Sequence, residues 1–380
     1  MAKGKSENTF LDNFKKEMSK KENIATQNPP PTYWIDSGNY VLNKILSDRY
    51  DRGFAQGRLA LLAGSSGAGK SLFACQAGAS AQKQGYGVLV VDTEGALDDE
   101  FLEKAGIDVN DKWFSYVGLS TIPECADAIS KFIKSYKGTE DIPPFMIILD
   151  SLDALSTDSD NKKFEERGEL SGDQGQHAKQ SKDMLMKFMH AVKGTNLSMI
   201  CTKQVYQNQD PIDAKANPWK LTEALKYPFS QLAIISKLNL KDKTTNKHIG
   251  YKAKIRSDKT RFSKPFQEVK VEVPYSQGVQ PYSGVLEAAE TCGVIGKNVG
   301  WYTIGEKKFQ EKNYREDDEL KEEILKALIE YDSENSDVPL QVELDENEEE
   351  EFVSEEGEKA KRQRVMEERA QKEAEEDDDE

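Results

Sequence analysis

The sequence predicts an α/β fold: a mostly parallel twisted sheet flanked by helices and widened by antiparallel strands. Three observations predict it. Four short apolar runs, Leu59–Ala63, Val88–Val91, Phe145–Leu149 and Ser198–Cys201, are separated by long amphipathic stretches compatible with helices. A glycine-rich turn, Gly64–Ser71, lies between the first run and Leu72–Ala81, a good helix former. Three later segments, Leu232–Leu240, His248–Ile255 and Val269–Val273, read as strands joined by tight polar turns such as Asp242–Asn246, which suits an antiparallel extension.

In chain order, residues 1–32 are polar and close on Pro29–Pro31, a stiff linker. Phe10, Leu11 and Phe14 make an apolar patch at helical spacing, so a short helix is expected ahead of the linker, free to dock elsewhere. Residues 33–292 are expected to form the core, 293–331 a small C-terminal region, and 332–380 a tail. The net charge of −16 resides in that tail. From Asp332 to Glu380 there are 22 acidic and 6 basic residues, which leaves 46 of each sign in residues 1–331. The body is formally neutral and can still carry a basic stripe. The tail, with runs such as Glu348–Glu351, has too few apolar groups to offset its ordering entropy and is expected to be disordered. It is either a solubilising segment or an electrostatic mimic of nucleic acid that competes for a basic groove.

No apolar run approaches the roughly 18 residues that cross a bilayer, and the Lys-rich N-terminus has no apolar signal region. A cytoplasmic protein without membrane partners is expected. Cys75, Cys125, Cys201 and Cys292 are far apart and form no zinc or disulfide pattern. His177, His190 and His248 lack metal-ligand spacing.

Gly64-Ser65-Ser66-Gly67-Ala68-Gly69-Lys70-Ser71 matches G-x-x-x-x-G-K-[ST] in full, in the strand–loop–helix setting the motif needs. Glycines let backbone N–H groups curl around phosphates, and the helix N-terminus that follows adds a favourable dipole. Lys70 is expected to contact the β- and γ-phosphates, and Ser71 to hold Mg²⁺. Asp150 ends the run Phe145–Leu149, where an acid beside the loop can organise Mg²⁺ and its waters. Hydrolysis also needs a carboxylate that polarises a water in line with the γ-phosphate. Glu94 and Asp92, just past Val88–Val91, compete for that role on position alone.

Two long connections, Thr157–Gln174 and Tyr206–Pro228, exceed ordinary α/β loops of about 2–6 residues. In and beside them stand Lys162, Lys163, Arg167, Lys179, Lys215, Lys220 and Lys226, with Phe164, Tyr206, Trp219 and Tyr227. Cations that neutralise phosphates and rings that stack bases suit single-stranded DNA. Mobile surface loops would carry the same composition.

These pieces together resemble the RecA family of strand-exchange ATPases. The segment Asp92–Asp98 followed by Phe101 resembles the one that carries the family's catalytic glutamate. The resemblance implies Glu94 as base, with Asp98 and Phe101 against the adenine. Trp34–Gly38, Leu42, Gly53 and Gly57 resemble the family's approach to its first core strand. Gly172–Gly175 to Met189 resembles the first DNA-binding loop and its helix, and Val205–Pro228 falls on the second, without the bacterial Gly-Gly pair. Gln204 matches the polar γ-phosphate sensor. Lys259 and Arg261, with Pro265-Phe266 beyond, resemble the basic pair that reaches a neighbour's ATP across a filament interface, with Arg261 where lysine is commoner. Gly278–Gly284, Gly293 and Gly300–Tyr302 are similar to the phage UvsX recombinases.

The resemblance implies a RecA-type ATPase core that uses ATP and Mg²⁺, filaments on single-stranded DNA, homologous pairing with duplex DNA, and loader and single-strand-binding partners in a host cytoplasm. Two alternatives share the core: a hexameric ring helicase and a regulatory ATPase without strand exchange.

Overall fold

The computed structural model describes residues 9–19, 30–168, 174–207, 219–221, 223–241 and 247–335. Helix α1 (Thr9–Ser19) forms over the predicted apolar patch, and its Leu11 and Phe14 are exposed. It belongs to a unit of its own, residues 1–33, and the rest of the chain from Trp34 forms the second.

The second unit opens with β1 (Trp34–Ile35), α2 (Tyr40–Ser47) and β2 (Phe54–Ala55). The predicted strand–loop–helix follows as β3 (Leu59–Gly64) and α3 (Lys70–Lys83). Then come β4 (Gly87–Asp92), α4 (Asp99–Lys104), β5 (Phe114–Gly118), α5 (Ile122–Lys137) and β6 (Phe145–Asp150). Helices α6 (Asp158–Arg167) and α7 (Gln174–Val192) lead to β7 (Leu197–Gln204). A short pair, β8 (Tyr206–Gln207) and β9 (Trp219–Lys220), and α8 (Glu223–Lys226) precede three long strands: β10 (Gln231–Lys241), β11 (His248–Thr260) and β12 (Glu268–Pro274). The described chain ends with α9 (Val285–Thr291), β13 (Gly296–Asn298), β14 (Trp301–Ile304), β15 (Lys307–Phe309), α10 (Glu311–Glu316) and α11 (Asp318–Glu334).

The main sheet runs β12-β11-β10-β3-β7-β6-β4-β5. From β10 to β5 every pairing is parallel, and β11 and β12 add antiparallel. This is the α/β sheet with antiparallel extension that the apolar runs predict. Its centre has two buried faces, so β3, β4 and β6 are buried at every position and read as continuous apolar runs. Alternate residues face opposite sides: Ala60, Leu62, Met146 and Ile148 pack with α2, α3 and α9 residues, while Leu61, Ala63, Ile147 and Leu149 pack with α5 and α7.

Helix α5 shows how sequence writes an element. Thr121 caps it, Glu124 reaches back to complete a capping box, and Ile122, Cys125, Ile129 and Ile133 form one buried stripe. Most of its exposed face is polar.

Three sequence expectations are revised. The first long connection is not an extended loop, because α6 occupies Asp158–Arg167. The second is partly ordered as β8, β9 and α8, while residues 208–218 lie outside the described residues, as does the turn Asp242–Asn246. Nor does the folded body stop at Tyr331. Asp332 sits in α11 and forms a salt bridge of 2.5 Å with the buried Lys44 of α2. The remainder of the predicted tail, from Ser336, lies outside the described residues. Residues 296–309 form the small sheet β13-β14-β15, whose Tyr302 and Phe309 join the core cluster of α2, α9 and α11.

Candidate functional site

The C-terminal ends of β3, β7, β6 and β4 meet at one edge of the sheet, where open α/β sheets bind ligands. Register fixes the neighbours: Gly64 lies beside Gln204, and Asp92 beside Asp150. The strand order therefore brings Gly64–Ser71, Asp150, Glu94 and Gln204 to one crevice, although 140 residues separate the first from the last.

The loop leaves β3 at a glycine that the sheet demands. A Cβ on Gly64 would stand 2.3 Å from the Ile235 carbonyl oxygen. Gly69 enters α3 at φ +93°, in the left-handed region open to glycine. Lys70 begins the helix, and its buried Nζ donates to the Ser65 carbonyl at 2.9 Å, closing the loop on itself. Burial lowers the Lys70 pKa, while Asp150, Glu94 and Asp153 oppose that shift. An incoming phosphate can take over the Lys70 ammonium.

Asp150 is buried and raised in pKa by that burial, against hydrogen bonds from Thr202 and Ser71 that favour its charged form. Its contact with Ser71 brings together the two oxygens expected to hold Mg²⁺. Among the described residues no cluster of three or more His, Cys, Asp or Glu could hold a metal alone. A pair of hard oxygens fits Mg²⁺, which keeps several waters and takes further ligands from substrate phosphates.

The structure separates the two carboxylates that compete for the base. Asp92 is buried and accepts from the backbone N–H groups of Glu94, Gly95 and Leu97 at 2.8–2.9 Å and from the Tyr116 hydroxyl at 3.0 Å. With its oxygens so occupied, Asp92 shapes the turn. Glu94 is exposed and accepts from the Ser151 hydroxyl. Thr93 ties the same turn to β6: its hydroxyl donates to the Ser151 carbonyl at 2.7 Å, and its N–H donates to the Asp150 carbonyl at 2.8 Å. Asp98 caps α4 by accepting from the Phe101 N–H at 2.8 Å, and the Phe101 ring packs partly buried against the core. Both sit on the segment that leaves Glu94.

Gln204 ends β7 as its exposed residue, and its N–H donates to Asp153 at 2.6 Å. Asp153 also pairs with Lys203. This clamp between the ends of β6 and β7 carries no sequence motif.

Lys259 and Arg261 lie elsewhere. Lys259 pairs with Leu232 near the start of β10, whereas Gly64 pairs with Ile235 further along it. At about 3.3 Å per residue, these cations stand roughly 10 Å or more towards the opposite edge, and two strands away. Lys259 Nζ donates to the carbonyls of Lys226 and Tyr227 at 2.8 and 3.1 Å, and lies over the exposed Tyr227 ring. Burial lowers its pKa, and Arg261 and Lys226 add to the shift.

Of the proposed DNA-loop residues, Tyr206 is exposed, and Lys226 pairs with Glu223 and Asp258 at 2.8 and 3.1 Å. Lys226 is thus part of the Lys259 corner rather than a free cation. Arg167, Lys215, Lys220, Phe164, Trp219 and Lys163 have no described side chains.

Fold and site define a phosphate-loop NTPase: a parallel sheet with loop and lysine, a hydrogen-bonded serine and aspartate suited to Mg²⁺, and an exposed glutamate at one edge. The RecA N-terminal domain profile matches residues 12–280. Protein RecA of Aquifex pyrophilus is 29% identical over 299 residues, covering 75% of this chain and 81% of that protein. Protein RecA of Treponema denticola is 27% identical over 276 residues, covering 72% of this chain and 63% of that protein, and that of Thermus aquaticus is 28% identical over 286 residues, covering 73% and 80%. The chain belongs to the RecA family, and it is a DNA-dependent ATPase that uses ATP with Mg²⁺.

Proposed function

We propose that this protein is a homologous-recombination ATPase that forms filaments on single-stranded DNA, with each ATP held between two protomers. Lys70, Ser71, Asp150, Glu94 and Gln204 act on the ATP of their own chain. Lys259 and Arg261 act on the neighbour's, as cations that stabilise charge developing on the transferred phosphoryl group. Glu94 orients the attacking water, and Asp98 and Phe101 border the adenine. The filament pairs with homologous duplex DNA, and hydrolysis releases it.

One observation carries this reading. The basic pair stands away from its own phosphate loop, with Lys259 held by the Lys226 and Tyr227 carbonyls, which supports its service to a site on another chain. The exposed Leu11 and Phe14 of α1 suit a segment that docks on a neighbouring protomer. Within the family we place the chain nearest the phage UvsX recombinases, on the Gly278–Gly284 tract, acting in a host cytoplasm with loader and single-strand-binding partners. Among the described residues no helix is long and apolar enough to cross a membrane.

The test is electron microscopy with ATP and single-stranded DNA, alongside ATPase assays with and without that DNA. Extended helical filaments and DNA-stimulated turnover are expected. Closed six-fold rings would favour a helicase, and normal ATP and DNA binding without strand exchange would favour a regulatory ATPase.

A further inference from the structure

The hairpin β10–β11 outruns the strand beside it. Strand β3 ends at Gly64 opposite Ile235, but β10 continues to Lys241, paired throughout with β11. The overhang is about 20 Å at roughly 3.3 Å per residue, and it passes beside the phosphate loop.

Strand alternation decides which side chains turn towards that loop. Ile235, Ala253 and Ile255 belong to the core cluster that contains α3. Lys237 lies two residues beyond Ile235 and directly opposite Ala253, so it shares their face; Tyr251 shares it from β11. Both reach the loop. Lys237 Nζ lies 3.3 Å from where a Gly67 Cβ would stand. The Tyr251 hydroxyl lies 2.2 Å from where a Gly69 Cβ would stand, so only glycine leaves room for the ring. No carboxylate among the described residues pairs with Lys237, which is exposed beside a loop that wraps phosphates. A solvated surface lysine would look similar in isolation; the tyrosine seated against Gly69 is what fixes the hairpin at the loop.

We propose that Lys237 is a second cation of the same chain for the triphosphate, and that Tyr251 is the positioning residue that seats the hairpin so Lys237 reaches it. The idea rests on the phosphate loop as the nucleotide site. It makes β11 a strand that touches its own ATP site through Tyr251 and carries, near its far end, Lys259, the residue offered to the next one.

The experiment is titration of a fluorescent ATP analogue into the full chain without DNA, with steady-state ATPase on DNA. Lys237→Ala should weaken binding about tenfold and raise KM with kcat little changed, the sign of a uniform binding contact. Lys237→Arg should restore affinity to within about twofold, which a purely structural lysine would not require. Tyr251→Ala should weaken binding too, and adding it to Lys237→Ala should cost little more. Unchanged affinity in Lys237→Ala, while Lys70→Ala loses binding, would overturn the proposal alone. Normal binding by Lys70→Ala would instead overturn the phosphate-loop reading beneath it. A fully additive double variant would overturn the role given to Tyr251.

Discussion

The two edges of the main sheet do different work with different materials. At the phosphate-loop edge, strand ends converge and each functional group is set by hydrogen bonds within the chain. Asp150 is held by Thr202 and Ser71, Glu94 by Ser151, and the turn between them by Asp92 and Thr93. At the other edge, Lys259 is held by two backbone carbonyls and faces no phosphate loop of its own. The first edge is a nearly complete binding site, and the second is a cation pair without a local substrate. The difference supports the proposal that ATP turnover belongs to a pair of chains. Preorganised donors at the first edge suit tight binding, while cations brought in from a neighbour suit a rate that depends on assembly.

Variants separate the two edges by the size and kind of their effect. Lys70→Ala should cause the largest loss, with ATP binding and hydrolysis both down by about a hundredfold or more in filter-binding and ATPase assays. Glu94→Gln keeps the hydrogen-bonding shape but removes the base. It should lower kcat about a hundredfold while ATP still binds within about threefold. If Glu94→Gln retains turnover, the base lies elsewhere. Replacing both Lys259 and Arg261 with Ala should also lower DNA-stimulated kcat about a hundredfold, yet leave ATP affinity of the unassembled chain within about twofold. A loss of that intrinsic affinity would break the division between the edges. The smallest expected effect is on stability. Asp92→Asn replaces an acceptor of four hydrogen bonds by a group with only one oxygen, so it should cost about 1–3 kcal/mol in denaturant unfolding, with a partial loss of kcat as the Glu94 turn loosens.

The sequence shows some of this plainly and hides the rest for physical reasons. Gly64–Ser71 is legible because phosphate binding leaves so few residue choices: Gly64 faces a carbonyl and Gly69 needs a positive φ. The parallel centre is legible because strands buried on both faces must be apolar throughout. The roles of Asp92 and Glu94 are not separable by position, since both stand at the end of β4; the family resemblance favours Glu94, and the burial of one and exposure of the other give the physical reason. Helix α6 has a single apolar residue, Phe164, among its ten, so no periodicity marks it. Charge composition draws the tail boundary at Asp332, but Asp332 answers to Lys44, nearly the whole folded chain away. Lys237 escapes notice for the same reason. Its neighbour is a loop that only the register of β10 with β3 brings alongside it.

The central claim, that one ATP is turned over by two chains, has a direct test. Mix equal amounts of the Glu94→Gln protein and the Lys259→Ala/Arg261→Ala protein on single-stranded DNA and measure ATP hydrolysis. Each protein alone should be nearly inactive. In random mixed filaments roughly a quarter of the interfaces join an intact Glu94 to an intact basic pair, so activity should recover to about a quarter of the unmodified level. A mixture that forms filaments yet stays as inactive as its two components would mean that both sets of residues must lie on one chain, and would contradict the account.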